Sequence, residues 1–358
     1  MKLKRKFCFE IMKKWLFSCC LLACSVVNAA PYVTNVVAKQ RYPWNGLVDV
    51  SYEIVGSTNG LGLVSCRLMA IDQETQKSYQ ANTFAKPIDL SEGKHIATWN
   101  MAADHNVVSK AMTFRLSIQA EPLYSVIDVS EGSKTTSYPV AALNEIPDGE
   151  WGDEYKTDKI VLRCIVGLNG VYYAGVFEVT QAQWDKVMGG TSTSTNPKNN
   201  VAYNAIRGNA DTYNWPTSTK VDATSFIGKL RQKTGLTMLD LPSEAEWEFA
   251  ARAVVTTKWL CGDSETGLAE YAWYSGNDGS MHGVGLKKAN AWGLYDVHGN
   301  VWEWCLDRWL SGYSNRVLRG GAYGSDASNC AFACRSNYTP SYNWNSHGFR
   351  LFCRSGSN

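Results

Sequence analysis

Charge is scarce in this chain. Of 358 residues, 19% are charged, and the formal net charge is +2. No basic stripe is concentrated anywhere, which excludes the electrostatic footprint of a nucleic-acid binder. Past residue 30 no apolar run approaches the roughly 20 residues of a membrane-spanning helix. There is no C-x-x-C pair in that part either, so neither a zinc ribbon nor a thioredoxin-type redox site is expected. G-x-S-x-G is missing, and with it the nucleophile elbow of a hydrolase.

What is plentiful is aromatic: 14 Trp and 18 Tyr. So many rings either fill cores under long loops or line a binding surface. At the start, Lys13 and Lys14 precede an apolar run from Trp15 to Val27 and small residues around Asn28 to Ala30. That order is the order of a secretory signal, with residues 1–30 removed by cleavage after Ala29 or Ala30. The mature chain is then exported, periplasmic or secreted. The alternative is lipoprotein anchoring at Cys24 within "LLAC". Seven cysteines lie beyond the signal: Cys66, Cys164, Cys261, Cys305, Cys330, Cys334 and Cys353. An exported compartment permits disulfides, but an odd number leaves at least one thiol free or paired between chains.

Single cores stop growing near roughly 250–300 residues, so this length suggests two domains. Residues 31–150 hold short alternating runs such as "LVDVSYEIV", in which Val48, Val50, Tyr52 and Ile54 share a face, and no helix is expected there. We expect an all-β sandwich of immunoglobulin or fibronectin type with Trp99 in its core, followed by a polar connection from about 121. Residues 151–358 read differently. Thr180 with Gln183 and Ser243 with Glu246 are capping boxes, and Asp222 is expected to cap a helix ending at Gly235. After Ala253 helix signals stop, and the rest is rich in Gly, Asn, Trp and Tyr. The fold class expected is α+β, loop-rich, preceded by the β-sandwich.

Four segments occur in order: "GVFEVTQAQWDKVM" (175–188), "LPSEAEWEFAARA" (241–253), "NAWGLYDVHGNVWEWCLDRW" (290–309) and "RVLRGGAY" with the "GFRL" that follows (316–351). Over roughly residues 155 to 354 the chain resembles the formylglycine-generating enzyme, or sulfatase-modifying factor, family. The resemblance implies a compact loop-rich fold of C-type-lectin-like shape. It also implies a structural calcium ion on the Asp296 side chain, the Gly299 and Val301 carbonyls and the Glu303 side chain, since calcium takes six to eight oxygens. The alternative is that Asp296 and Glu303 only tie down the turn by hydrogen bonds.

Catalytic members of that family use two cysteines after the glycine pair to bind copper(I) and oxidise a substrate cysteine to formylglycine. Counted from Tyr323, those positions are Ser325 and Cys330 here, and Ala322 stands where active members carry serine. A serine hydroxyl is a poor ligand for a soft ion. If "CAFAC" is a strand, Cys330 and Cys334 lie about 13 Å apart, too far to pair, which leaves core packing or a long-range disulfide to Cys305 or Cys353. A family branch using non-haem iron needs a histidine set, yet His95, His105, His282, His298 and His347 are scattered, and His298 is expected to stabilise its turn.

The expectation is therefore a non-catalytic, calcium-stabilised binding module, with copper not expected. Its ligand is an extracytoplasmic peptide, glycan or protein, and its pocket is lined by Trp302, Tyr323, Ser325, Cys330, Asn343, Trp344 and Arg350. The alternative is a copper-dependent oxidase acting through Cys330.

Overall fold

A computed structural model describes residues 32–354, apart from 42–45, 56–63, 73–77, 82–83, 87–92, 106–111, 121 and 168–169. The expected signal and cleavage site, and Cys24, lie outside the described residues. Among the described residues no helix is long and apolar enough to cross a membrane.

The first strands are β1 (Tyr32–Gln40), β2 (Leu47–Val55), β3 (Val64–Asp72), β4 (Ser78–Gln80), β5 (Phe84–Lys86), β6 (Gly93–Asn100) and β7 (Met112–Ala120). They form two antiparallel sheets, β1-β2-β6-β5 and β4-β3-β7. Alternation puts Val48, Val50, Tyr52 and Ile54 of β2 inside, with Leu68, Ala70, Tyr79 and Trp99 from both sheets in the same core. Trp99 is fully buried, and its Nε1 donates to Asp104 at 2.6 Å. One short helix, α1 (Met101–His105), corrects the expectation of none. The Asn100 side chain accepts from the Ala103 amide and closes that turn.

The second part is built on β8 (Tyr124–Asp128), β9 (Val140–Leu143), α2 (Glu154–Thr157), β10 (Lys159–Gly167), β11 (Gly170–Gly175), α3 (Gln181–Met188), α4 (Tyr203–Arg207), α5 (Phe226–Thr234), β12 (Leu239–Asp240) and α6 (Glu244–Arg252). Six short strands complete it: β13 (Ala272–Trp273), β14 (His298–Gly299), β15 (Trp302–Arg308), β16 (Arg316–Arg319), β17 (Ser336–Tyr338) and β18 (His347–Gly348) before the closing β19 (Phe352–Arg354). The principal sheet has the order β12-β19-β11-β10-β8-β9. Strand β8 pairs with β10 and β9 pairs with β8, so the connection runs partly as strands of this sheet. The cause is the Tyr124 and Val126 face, which packs on Trp151, Tyr155 and Phe177. A second sheet, β17-β16-β15-β18, carries the segments of interest.

Both expected capping boxes are present: Thr180 and Gln183 start α3, and Ser243 and Glu246 start α6. Helix α5 is capped by Ser225, not Asp222. The Asp222 carboxylate accepts from the Thr224 amide three residues too early, leaving the Ser225 hydroxyl to accept from the Gly228 amide. The largest core joins these helices to both sheets through Phe226, Leu230, Trp304, Leu318 and Phe349.

Candidate functional site

The turn between β14 and β15 is the centre of the domain. Asp296, Gly299 and Asn300 all have left-handed backbone, with φ of 55°, 82° and 57°. At Gly299 a Cβ would collide with the Trp273 carbonyl, so the parallel β13–β14 contact requires glycine. Glu178, from the "EVT" segment, is buried beneath this turn. It accepts from the Asn300 side-chain amide at 2.7 Å and from the Val301 amide at 3.1 Å. Burial, and then Asp296 and Glu303 nearby, push its carboxyl well above the usual carboxylate range.

Glu303 is equally deep. One oxygen accepts from Arg350 Nη2 at 2.6 Å, and the other accepts from Arg350 Nε and from Trp247 Nε1, each at 2.7 Å. The same guanidinium donates to the Gly175 and Tyr295 carbonyls. Arg350 thus stitches three segments together from a fully buried position. Its planar fork is the one side chain that can serve a carboxylate and two carbonyls at once.

These contacts bear on the expected calcium ligands. Asp296 accepts from the Gly285 amide through Oδ2, its Oδ1 is buried with no partner, and burial lifts its carboxyl to about 6. Glu303 has both oxygens taken by Arg350 and Trp247. Of the expected side-chain ligands, only Asp296 Oδ1 is open to a cation. That donor set, beside a guanidinium, does not fit an ion that takes six to eight oxygens. Both carboxylates accept hydrogen bonds that tie the turn down. Among the described residues no group of three or more His, Cys, Asp and Glu is arranged to hold a metal.

The glycine-pair loop closes on this turn. Gly299 donates to the Gly320 carbonyl at 2.8 Å, and Tyr323 donates to the Asn300 carbonyl at 2.9 Å. Ser325 is half-buried, and its hydroxyl accepts from the Ala322 amide at 3.0 Å, within its own tight turn. Asp326 caps a single 3-10 turn over Ala327–Cys330. "CAFAC" is therefore a turn and loop, not a strand, because the Asp326 carboxylate accepts from the Asn329 amide and winds the chain.

Cys330 is fully buried in an apolar cluster with Trp259, Tyr274 and Ala331. The backbone of Gly321 lies against it: a Cβ there would stand 2.6 Å from its sulfur. Burial pushes its thiol up to about 12. Cys334 sits half-buried at the edge of the same cluster, its thiol 3.5 Å from the Asn329 side-chain oxygen. Neither is bridged, and Cys305 and Cys353 are free thiols too, so the long-range disulfides do not form. His298 holds the loop from behind: Nδ1 donates to the Cys330 carbonyl at 2.7 Å and Nε2 accepts from the Leu260 amide at 3.1 Å. Burial depresses it to about 4, which keeps the neutral tautomer those two bonds need.

The remaining expected pocket residues differ in burial, and Trp302 lies beside the Trp344 loop, its amide donating to the Ser346 carbonyl at 2.8 Å. Trp302 is half-buried against the main core, and Tyr323 is half-buried beside the glycine pair. Asn343 and Trp344 are at the surface, where Trp344 is 50% exposed. There they join two rings that the sequence reading missed, Tyr338 and Tyr342. Tyr338 and Tyr342 stack at 4.9 Å and 7°, and Tyr342 and Trp344 stack at 5.8 Å and 15°.

With this geometry in place, known proteins can be compared. The profile of the sulfatase-modifying factor enzyme 1-like domain matches residues 166–355. The chain belongs to the sulfatase-modifying factor family. It is 33% identical over 141 residues to the formylglycine-generating enzyme of Streptomyces coelicolor, covering 31% of this chain and 45% of that one. It is 34% identical over 134 residues to the inactive C-alpha-formylglycine-generating enzyme 2 of Bos taurus, covering 33% of this chain and 44% of that one. This family member thus spans less than half the length of those relatives. Among solved structures, Treponema denticola variable protein 1 superposes with a TM-score of 0.46 at 28% identity, over 55% of this chain and 96% of that one.

Proposed function

We propose that this is a non-catalytic member of the sulfatase-modifying factor family, an exported module that binds an extracytoplasmic ligand. In this reading its first part is an immunoglobulin- or fibronectin-type sandwich and its second part a C-type-lectin-like body. The observation that carries it is the state of the two copper positions. At one, a serine hydroxyl is occupied by its own turn. At the other, the thiol is sealed under Gly321 and its pKa is far above neutrality, so a thiolate pair for a soft ion is missing. Similarity to a relative named as inactive accords with this.

Copper(I) competition against a calibrated chelator tests the reading, with the Cys330→Ser variant beside the wild type. No tight binding is expected, nor any copper-dependent oxygen uptake with a cysteine peptide. Tight binding abolished by Cys330→Ser would instead establish the oxidase reading.

A further inference from the structure

The row Tyr338–Tyr342–Trp344 is not explained by the core. These rings are 40%, 36% and 50% exposed, while Trp247 and Trp304 in the same domain are fully buried. Their spacings and near-parallel planes are those of offset stacks. Such a row is rigid before anything binds, because each ring limits the rotamers of the next. Little side-chain entropy is then left to lose on association.

Beneath the row lies His347, 2% exposed, with its ring 4.7 Å from Tyr338 and 6.3 Å from Tyr342. Its Nδ1 is buried without a hydrogen-bond partner. Beside the row stand the exposed amide residues Asn343 and Asn345. Between Ser336 and Gly348 there is no Asp, Glu, Lys or Arg. A stretch that supplies rings, amides and hydroxyls and no charge of its own, with Lys198 as the charged side chain on the adjoining 198–200 segment, fits a neutral polyol. It offers nothing to phosphate, to an acidic or basic peptide, or to a lipid headgroup, each of which selects for charge.

We propose that Tyr338, Tyr342 and Trp344 form a platform for neutral glycans. Sugar C–H faces lie on the rings, and sugar hydroxyls bond to the Asn343 and Asn345 amides. This deepens the binding-module reading and rests on it.

The test uses the full mature chain on an array of neutral hexose and N-acetylhexosamine oligosaccharides, sulfated and uronic-acid glycans, and proline-rich and aromatic peptides. Calorimetry on the strongest neutral glycan follows. Neutral glycans should bind with little salt dependence. Trp344→Ala should weaken binding at least about tenfold while Trp344→Phe keeps most of it. Thermal unfolding of each variant checks that the fold persists, as expected for exposed rings. Three outcomes overturn the proposal: hits confined to charged glycans, neutral binding untouched by Trp344→Ala and Tyr342→Ala, or no glycan binding at all. Peptide binding lost with Trp344→Ala would overturn the glycan class while leaving the binding module standing. Copper-dependent oxidation of a cysteine peptide by the same preparation would remove the module reading itself, whatever the array shows.

Discussion

Two regions of the second part depart from ordinary sorting, in opposite directions. In the interior, at the Asp296 turn and away from it, charge lies inside: Arg207, Arg316, Arg319 and Arg350 are buried, as are Glu178, Asp240, Asp296 and Glu303. Around Trp344, aromatic rings lie outside. The difference teaches what each set is for. Irregular backbone leaves carbonyls without partners, and the buried guanidinium groups supply them. Arg316 donates to the Leu306 and Ala210 carbonyls, and Arg350 donates to two more while pairing with Glu303. That network holds the loops. The ring row covers His347 on its inner side and leaves its outer side open to a partner.

The sharpest way to break this contrast is Arg350→Met. It strands the Glu303 carboxylate in the core and should cost about 3–5 kcal/mol by chemical unfolding. Arg350→Met with Glu303→Met should recover much of that loss, since the unpaired charge goes too. If the single variant is as stable as wild type, the network is not what holds the loops.

Next in size is a pH effect at Asp296. Its folded pKa, lifted to about 6 by burial, lies above the ordinary carboxylate range. The folded state therefore binds more protons than the unfolded state between about pH 4 and pH 6, and this group's contribution to stability falls as pH rises through that window. Asp296→Asn should gain on the wild type by up to about 3 kcal/mol from pH 4 to pH 7, with the gain complete above the folded pKa. The depressed histidines His298 and His347 act with the opposite sign in that range but cancel in the difference between the two proteins, whereas Glu178, relieved of the Asp296 charge in the variant, adds to the gain with the same sign. A pH-independent difference would place Asp296 in a more polar setting.

On the other side of the comparison, Trp344→Ala should change stability by no more than about 0.5 kcal/mol. A larger loss by thermal unfolding would make the ring row part of the scaffold. The smallest effect expected is none: millimolar calcium should leave the unfolding midpoint where it is. A midpoint that climbs with calcium concentration would show that an ion binds the folded state and displaces the Arg350 pairing.

What the sequence disclosed was mostly local. The boxes Thr180–Gln183 and Ser243–Glu246 were legible because both partners sit within one turn of chain. The family assignment was legible because four segments recur in order. The pairing of Glu303 with Arg350 was not, since 47 residues separate them and the fold alone sets their distance. Asn300 and Glu178 stand 122 residues apart, for the same reason. Whether "CAFAC" is a strand stayed open, because alternation over five residues cannot separate a strand from a turn. The signal that decides it lies just upstream, where Asp326 stands three residues before Asn329, the same spacing that marks the caps of α3 and α6. Tyr338 and Tyr342 were passed over because stacking between a strand end and the loop after it leaves no period to detect.

The sealing of Cys330 by Gly321 and His298 turns that thiol into a clock. No reagent reaches it while the loop is shut, so alkylation proceeds only through moments of local opening. Where reclosing outruns chemistry, the labelling rate measures how often the loop stands open. Half-buried Cys334, four residues away, sets the pace of an unsealed neighbour on the same stretch of chain. Followed with and without a bound ligand, the ratio of the two rates reports whether occupancy at Trp344 quiets the domain's centre, in minutes and hours rather than in ångströms.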